Sequence, residues 1–256
     1  MITQIGSLPY LDPSQAIDYS LKHDIPFLPE LPRLGEAMME YIKTPGHLSC
    51  LQDFQAAVKG RDIAKIQGVG PATIVSAGNG RYTEKKALEM SREHMMRIME
   101  GFDVEKLIFF LDEPSLEMVD YEAMGLSKAE YESMGFTGVD YKNLWRQLRD
   151  DAARNGNVTF GVHTCGNFNW GGLFGLDFLD VISFDASKYW SSFVKSDGYK
   201  NYRSSKKVAW GIVERGDAKN FQEGDLLTPP CGLGNLSSGE ECGPILENLM
   251  KARQKV

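Results

Sequence analysis

Val158–Asn167 reads VTFGVHTCGN, a short apolar run that ends in a histidine and a cysteine two residues apart. On an extended backbone alternate side chains share a face, so His163 and Cys165 point the same way. An imidazole nitrogen beside a thiolate sulfur, with glycine for room, suits a zinc ion. Taken alone the pair reads equally well as core packing, because a free cysteine packs as a small apolar group. Cys231 changes the balance. It closes a second apolar run, Leu226–Cys231 (LLTPPC), and brings the set to the three protein ligands of an open zinc site, with one position left for a substrate. Asp185, at the end of VISFD, either fills that fourth position or orients a ligand from outside it.

Other reactive side chains also sit where apolar runs stop: Ser7, Glu30, Asp112 and Glu214. Each has a plainer reading. Asp112, before Glu113-Pro114, can cap the next element, Ser7 can cap a turn, and Glu30 can be a surface acid in a proline-rich turn. Cys50 and Cys242 have no partner at ligand spacing and read as structural. His94 lies among the methionines of a helix face and reads as packing, and His47, in a TPGH turn, as solvated. Trp170 and Trp210 either line a pocket or fill the core.

The elements that must position these residues alternate along the chain. Strands are expected at Met1–Pro9, from Ile25 (IPFL), at Ile63–Gly70, Leu107–Leu111, from Val158, at Val181–Asp185, Val208–Val213 and Leu226–Cys231. Helices are expected from Asp12-Pro13 (a cap followed by proline at the first helical position), around Gly35–Ile42 and Leu51–Lys59, from Thr83, over Tyr141–Arg154 and from about Ser238 to Arg253. The connection from about 115 to 140 is long, and Ser127-Lys128-Ala129-Glu130 gives it a capping box and a short helix of its own. No linker or internal repeat divides the chain. Eight alternating units over 1–256 predict a single α/β domain, a (β/α)8 TIM barrel, in which strand ends far apart in sequence converge on one mouth. A doubly wound open sheet is the alternative, but neither GxGxxG nor GxxxxGK[ST] follows any predicted strand.

Composition narrows the class. At 42% hydrophobic and 25% charged, the 256 residues can bury a core without disulfides, and four irregularly spaced cysteines are no disulfide framework. A net charge of −7 with no basic block argues against nucleic acid as a partner. Neither a signal pattern nor a membrane-length apolar run is present, so the reducing cytoplasm is the expected location. Nothing specifies an oligomeric state.

In combination, these motifs resemble the catalytic barrel of the cobalamin-independent methionine synthase family, within the superfamily that includes uroporphyrinogen decarboxylase and the coenzyme M methyltransferases. Ile5–Ser7 (IGS) is similar to the family's opening strand, and PELPR with EAMMEYI (Pro29–Ile42) to its second strand and helix. Asp112-Glu113-Pro114 is similar to its fourth-strand motif. HTC, the acidic end of VISFD and PCGLG (Pro230–Gly234) look like its zinc signatures. The resemblance implies His163, Cys165 and Cys231 as zinc ligands. It also implies Ser7, Glu30 and Asp112 as the residues holding an amino-acid thiol by its carboxylate and amine.

Three departures carry information. The family's fourth ligand is usually glutamate, and Asp185 stands at that place. The folate-dependent members carry a histidine after the seventh strand, whereas Gly211–Gly216 reads GIVERG; the large N-terminal domain that helps them hold folate is missing too. The resemblance therefore implies a zinc-dependent methyltransferase acting on a thiol, homocysteine first, with a methylated corrinoid, free or on a partner protein, as donor. Alternatives are a coenzyme M-type thiol methyltransferase, a metal-free decarboxylase like the uroporphyrinogen enzymes, and a non-catalytic corrinoid- or metal-binding protein.

Overall fold

Six runs rich in β-branched and aromatic residues form one parallel sheet in chain order: β1 (Ile63–Val69), β2 (Lys106–Asp112), β3 (Val158–Thr164), β4 (Val181–Asp185), β5 (Lys207–Gly211) and β6 (Leu226–Thr228). The structure, a computed structural model, describes residues 1–119, 125–133 and 138–254. Each strand pairs with the next in sequence, and the helical segments between them supply the crossovers that parallel pairing requires. The strands are buried almost throughout, as expected for a sheet covered on both faces.

Alternation sorts the strand side chains into two cores. The larger cluster packs Ile66, Phe109, Leu111, Val162, Ile182 and Trp210 against the helices. A smaller one, Ile25, Ile108, Phe110, Val181, Ala209 and Leu226, has no helical member and fills the inside of the curled sheet. Asp112, His163 and Ser183 stand in one pairing row, His163 being the register partner of both; Asp112 and His163 lie at the carboxyl ends of β2 and β3, and Ser183 is midway along β4. They share strand parity with the inner cluster. The inside of the sheet therefore has an apolar floor and a polar rim.

The expected eight-stranded closed barrel is corrected to a six-stranded curled sheet. The first two expected strands make only isolated parallel bridges: Ile2 with Leu227, Ser7 with Glu30, and Phe27 with Lys65. These bridges carry the N-terminal segments across from β6 to β1. Proline explains why no ladder forms, since Pro26 and Pro29 have no N–H to donate and Pro229-Pro230 follow directly on β6.

Most helix starts fall where the sequence places them. Asp12 Oδ1 accepts from Ser14 N at 2.9 Å to open Pro13–Ser20, and Thr83 caps Glu84–Met99. Ser127 and Glu130 cap each other reciprocally at the start of Lys128–Ser133. The rest of the expected 115–140 connection lies partly outside the described residues. Around Gly35–Ile42 the helix is a single turn, Met38–Tyr41. Among the described residues no helix is long and apolar enough to cross a membrane.

Candidate metal centre and ligand cavity

β3 places His163 at its end, and the chain turns out of the strand at Cys165, so the two lie side by side. His163 Nε2 is 3.2 Å from Cys165 Sγ, and Cys165 Sγ is 3.0 Å from Cys231 Sγ. Ligand atoms of all three residues fall within 4.8 Å of one another, and both cysteines are free thiols. The imidazole is oriented from behind, because its Nδ1 lies 2.9 Å from Ser183 Oγ on β4. With that nitrogen turned to the hydroxyl, Nε2 is the nitrogen that faces the cysteines. The Cys165 thiol and the His163 ring hold Cys231 below its usual value, at about 4, while Cys165 is pushed up. One thiolate and one thiol in contact are a donor set that would release one proton to solvent on taking a metal. This chemistry fits zinc.

The loop that carries Cys231 is fixed by Ser7. Leu233 N donates to Ser7 O at 2.8 Å, and a Cβ added at Gly232 would lie 2.0 Å from Ser7 Oγ. Glycine there lets the loop approach Ser7 closely without displacing its hydroxyl, and Cys231 and Ser7 are positioned together.

A cavity of ≈ 220 Å³ joins these residues. Ser7, Glu30, Asp112, His163, Cys165 and Cys231 all line it, with Met38, Glu36 and Pro114 completing its walls. Glu30 and Asp112 are both buried. Burial first, and the charge of Asp112 next, push Glu30 up to about 8 against the pull of Gln67 and Lys65. Burial pushes Asp112 up to about 8 against Lys65. Such close groups share protons rather than titrate one by one. Asp112 Oδ1 is buried with no hydrogen-bond partner, an exception in a folded protein and one that a bound donor would satisfy.

The other expected residues fall elsewhere. Asp185 ends β4 as expected but stands outside the three-residue group. Its carboxylate accepts from Ser187 Oγ at 2.5 Å and pairs with Lys188 at 3.1 Å, so the short side chain is held at the start of the following helix. Glu214 is exposed and caps the turn Arg215–Ala218. His94 is buried, stacked on Tyr41 at 4.4 Å, and burial pushes it down to about 4. Cys50 and Cys242 are buried, His47 is exposed, and Trp170 and Trp210 fill the outer core.

Several residues escaped the sequence reading. Glu113 is fully buried and accepts from Ala72 N, Thr73 N and Trp145 Nε1, which makes it the cap of Pro71–Ala77 and not a cavity acid. Tyr41 accepts from Val69 N at 2.9 Å. Lys65 and Gln67, on the inner face of β1, lie beneath the two cavity acids. Their only sequence signal is a pair of polar residues of one parity inside an apolar run.

Comparisons with protein-family models and with curated proteins find no match to this chain.

Proposed function

We propose that this protein is a zinc-dependent methyltransferase acting on an amino-acid thiol, with homocysteine as the first candidate acceptor. The observation that carries the reading is the meeting, in one cavity, of a His/Cys/Cys ligand set with two buried carboxyls and a serine. Zinc held by His163, Cys165 and Cys231 would lower the pKa of a bound thiol, so that its proton passes to solvent at neutral pH and the sulfur stays nucleophilic.

The chain's own residues bind and orient. Glu30 and the unpartnered Asp112 Oδ1 attract the acceptor's ammonium, and Ser7 meets its carboxylate. The acceptor sulfur then forms its bond to the methyl carbon as the bond from methyl to carrier breaks, the electron pair staying with the carrier. A methylated corrinoid, free or on a partner protein, is the proposed donor. GIVERG offers no histidine after β5, and its one acid, Glu214, is spent on a turn.

The size of the cavity supports a small acceptor. At ≈ 220 Å³ it falls below the range of roughly 300–1,000 Å³ typical for drug-sized ligands, which disfavours a tetrapyrrole enclosed in it and with it the decarboxylase alternative, whereas a corrinoid donor need only present its methyl group at the mouth. Two buried acids also disfavour a thiol with a sulfonate and no amine. The reading groups the chain with the cobalamin-independent methionine synthase family and takes the bridged N-terminal segments as the first two members of a (β/α)8 ring.

The test is zinc content together with turnover, for wild type and Cys231→Ala. About one zinc per wild-type chain, clearly less in the variant, and methionine formed from homocysteine and methylcobalamin by the wild type alone are the expected results. Undiminished turnover in Cys231→Ala would overturn the reading.

A further inference from the structure

The two cavity acids do not stand alone on the inner face of the sheet. Lys65, two strand positions before Gln67, is 0% exposed. Burying an ammonium costs several kcal/mol unless other groups compensate it. Among the described residues Lys65 has no direct ion pair. Its Nζ donates to Ile5 O at 2.6 Å and to Gln67 Oε1 at 2.9 Å, and lies 4.8 Å from the Phe110 ring centre. Gln67 Nε2 then donates to Glu30 Oε1 at 3.2 Å and to Leu28 O at 2.8 Å.

The order of these bonds is forced. An ammonium only donates, so it can accept nothing from the amide and must face Gln67 Oε1. That leaves Nε2 for Glu30, and a donated N–H favours the ionised form of the carboxylate it reaches. The backbone makes room for the arrangement, because a Cβ on Gly6 would lie 2.4 Å from Gln67 Cδ. Charge counting agrees. In the empty cavity burial holds Glu30 and Asp112 up at about 8 and Lys65 down at about 8, so shared protons keep the group near neutral. A ligand ammonium favours the ionised form of both carboxyls, and with Lys65 as the second cation the occupied group is neutral.

We infer that Lys65 and Gln67 form a positioning relay that holds Glu30 as an oriented carboxylate and so sets the cavity's selectivity for ligands bearing a single ammonium. The inference rests on the amino-acid-thiol reading of the cavity and deepens it. Neither residue touches the ligand; both act through Glu30. Glu36 and Tyr41 also face Glu30, but Glu36 is tied to Leu31 N and Ser49 N and Tyr41 to Val69 N, so only Lys65 adds a cation.

The experiment measures dissociation constants of the full chain, with its metal, for homocysteine and for its des-amino counterpart, 4-sulfanylbutanoate. Lys65→Met and Gln67→Leu are compared with wild type, each first checked by thermal unfolding. Wild type is expected to prefer the amino thiol. In the variants that preference falls roughly tenfold or more, the range of a lost charge-assisted hydrogen bond, while 4-sulfanylbutanoate binds as before. If Lys65→Met does not fold, Gln67→Leu carries the test, since it cuts the relay and keeps the cation. A folded variant with the wild-type ratio, or with equal losses for both thiols, would overturn the relay and leave the amino-acid reading standing. A wild type that does not distinguish the two thiols would overturn that reading itself.

Discussion

His163 shows how much of a ligand's work is done behind it. Ser183 Oγ, 2.9 Å from Nδ1, sets which nitrogen is left for the cavity and fixes the plane of the ring. Outer partners of this kind typically alter metal affinity by about 10–100-fold when removed. Ser183→Ala is therefore expected to lower zinc affinity by about that factor, read by competition with a chromogenic chelator, while the fold persists. An unchanged affinity would show that the hydroxyl only fills space. The cavity residues were legible because each closes or closely follows an apolar run, and a parallel arrangement brings such ends together. Ser183, Lys65 and Gln67 were not, because polar residues inside an apolar run carry no sign of which face they occupy or what they meet. Asp185 ends β4 where the sequence puts it, and its carboxylate there meets Ser187 and Lys188, two and three residues on.

Element ends decided what the sequence showed of the fold. Six of the expected strands form a ladder, because a run buried on both faces reads as unbroken apolar sequence. The first two do not, since prolines at 26 and 29 interrupt the donor row. A feature that left no trace in the pattern ties β5 to its neighbours. Asp225, fully buried just before β6, accepts from Arg203 Nη1 and Nη2 at 2.9 and 2.7 Å, from Val208 N at 3.0 Å and from Trp210 Nε1 at 2.9 Å. Its partners lie up to 22 residues away, beyond the reach of any local motif. Removing one member of such a pair leaves the other charge buried and uncompensated, which costs about 3–5 kcal/mol. Asp225→Ala should show that loss in a denaturant titration, and a loss below about 1 kcal/mol would mean that water reaches Arg203.

At the scale of the molecule, the ligand cavity depends on the seam between the first and last parts of the sheet. Ser7 and Glu30 ride on the two bridged segments, whereas the candidate metal ligands ride on β3, the turn after it and the loop after β6. Backbone bonds hold the seam on both sides. Thr3 N donates to Leu227 O at 3.1 Å and Leu227 N to Met1 O at 2.8 Å on one side; Leu28 N donates to Lys65 O and Lys65 N to Pro26 O, each at 2.8 Å, on the other. Arg253 clasps Asp24, whose carboxylate also accepts from Ile2 N at 2.8 Å, so the last helix fastens the first segment. Local opening exposes amides in cooperative units, so hydrogen exchange can tell whether the seam opens with the core or before it. The expected result is that Thr3, Leu28, Lys65 and Leu227 are protected nearly as well as Phe109 and Val162 in the centre of the sheet. Fast exchange confined to Thr3 and Leu227 would describe an open half-barrel whose first segment detaches. Ser7 would then leave the Gly232 loop, and Cys231 would lose the contact that sets its place beside Cys165. A seam that opens early would thus disable the ligand cavity and the metal centre together, although no metal ligand lies on the N-terminal segments.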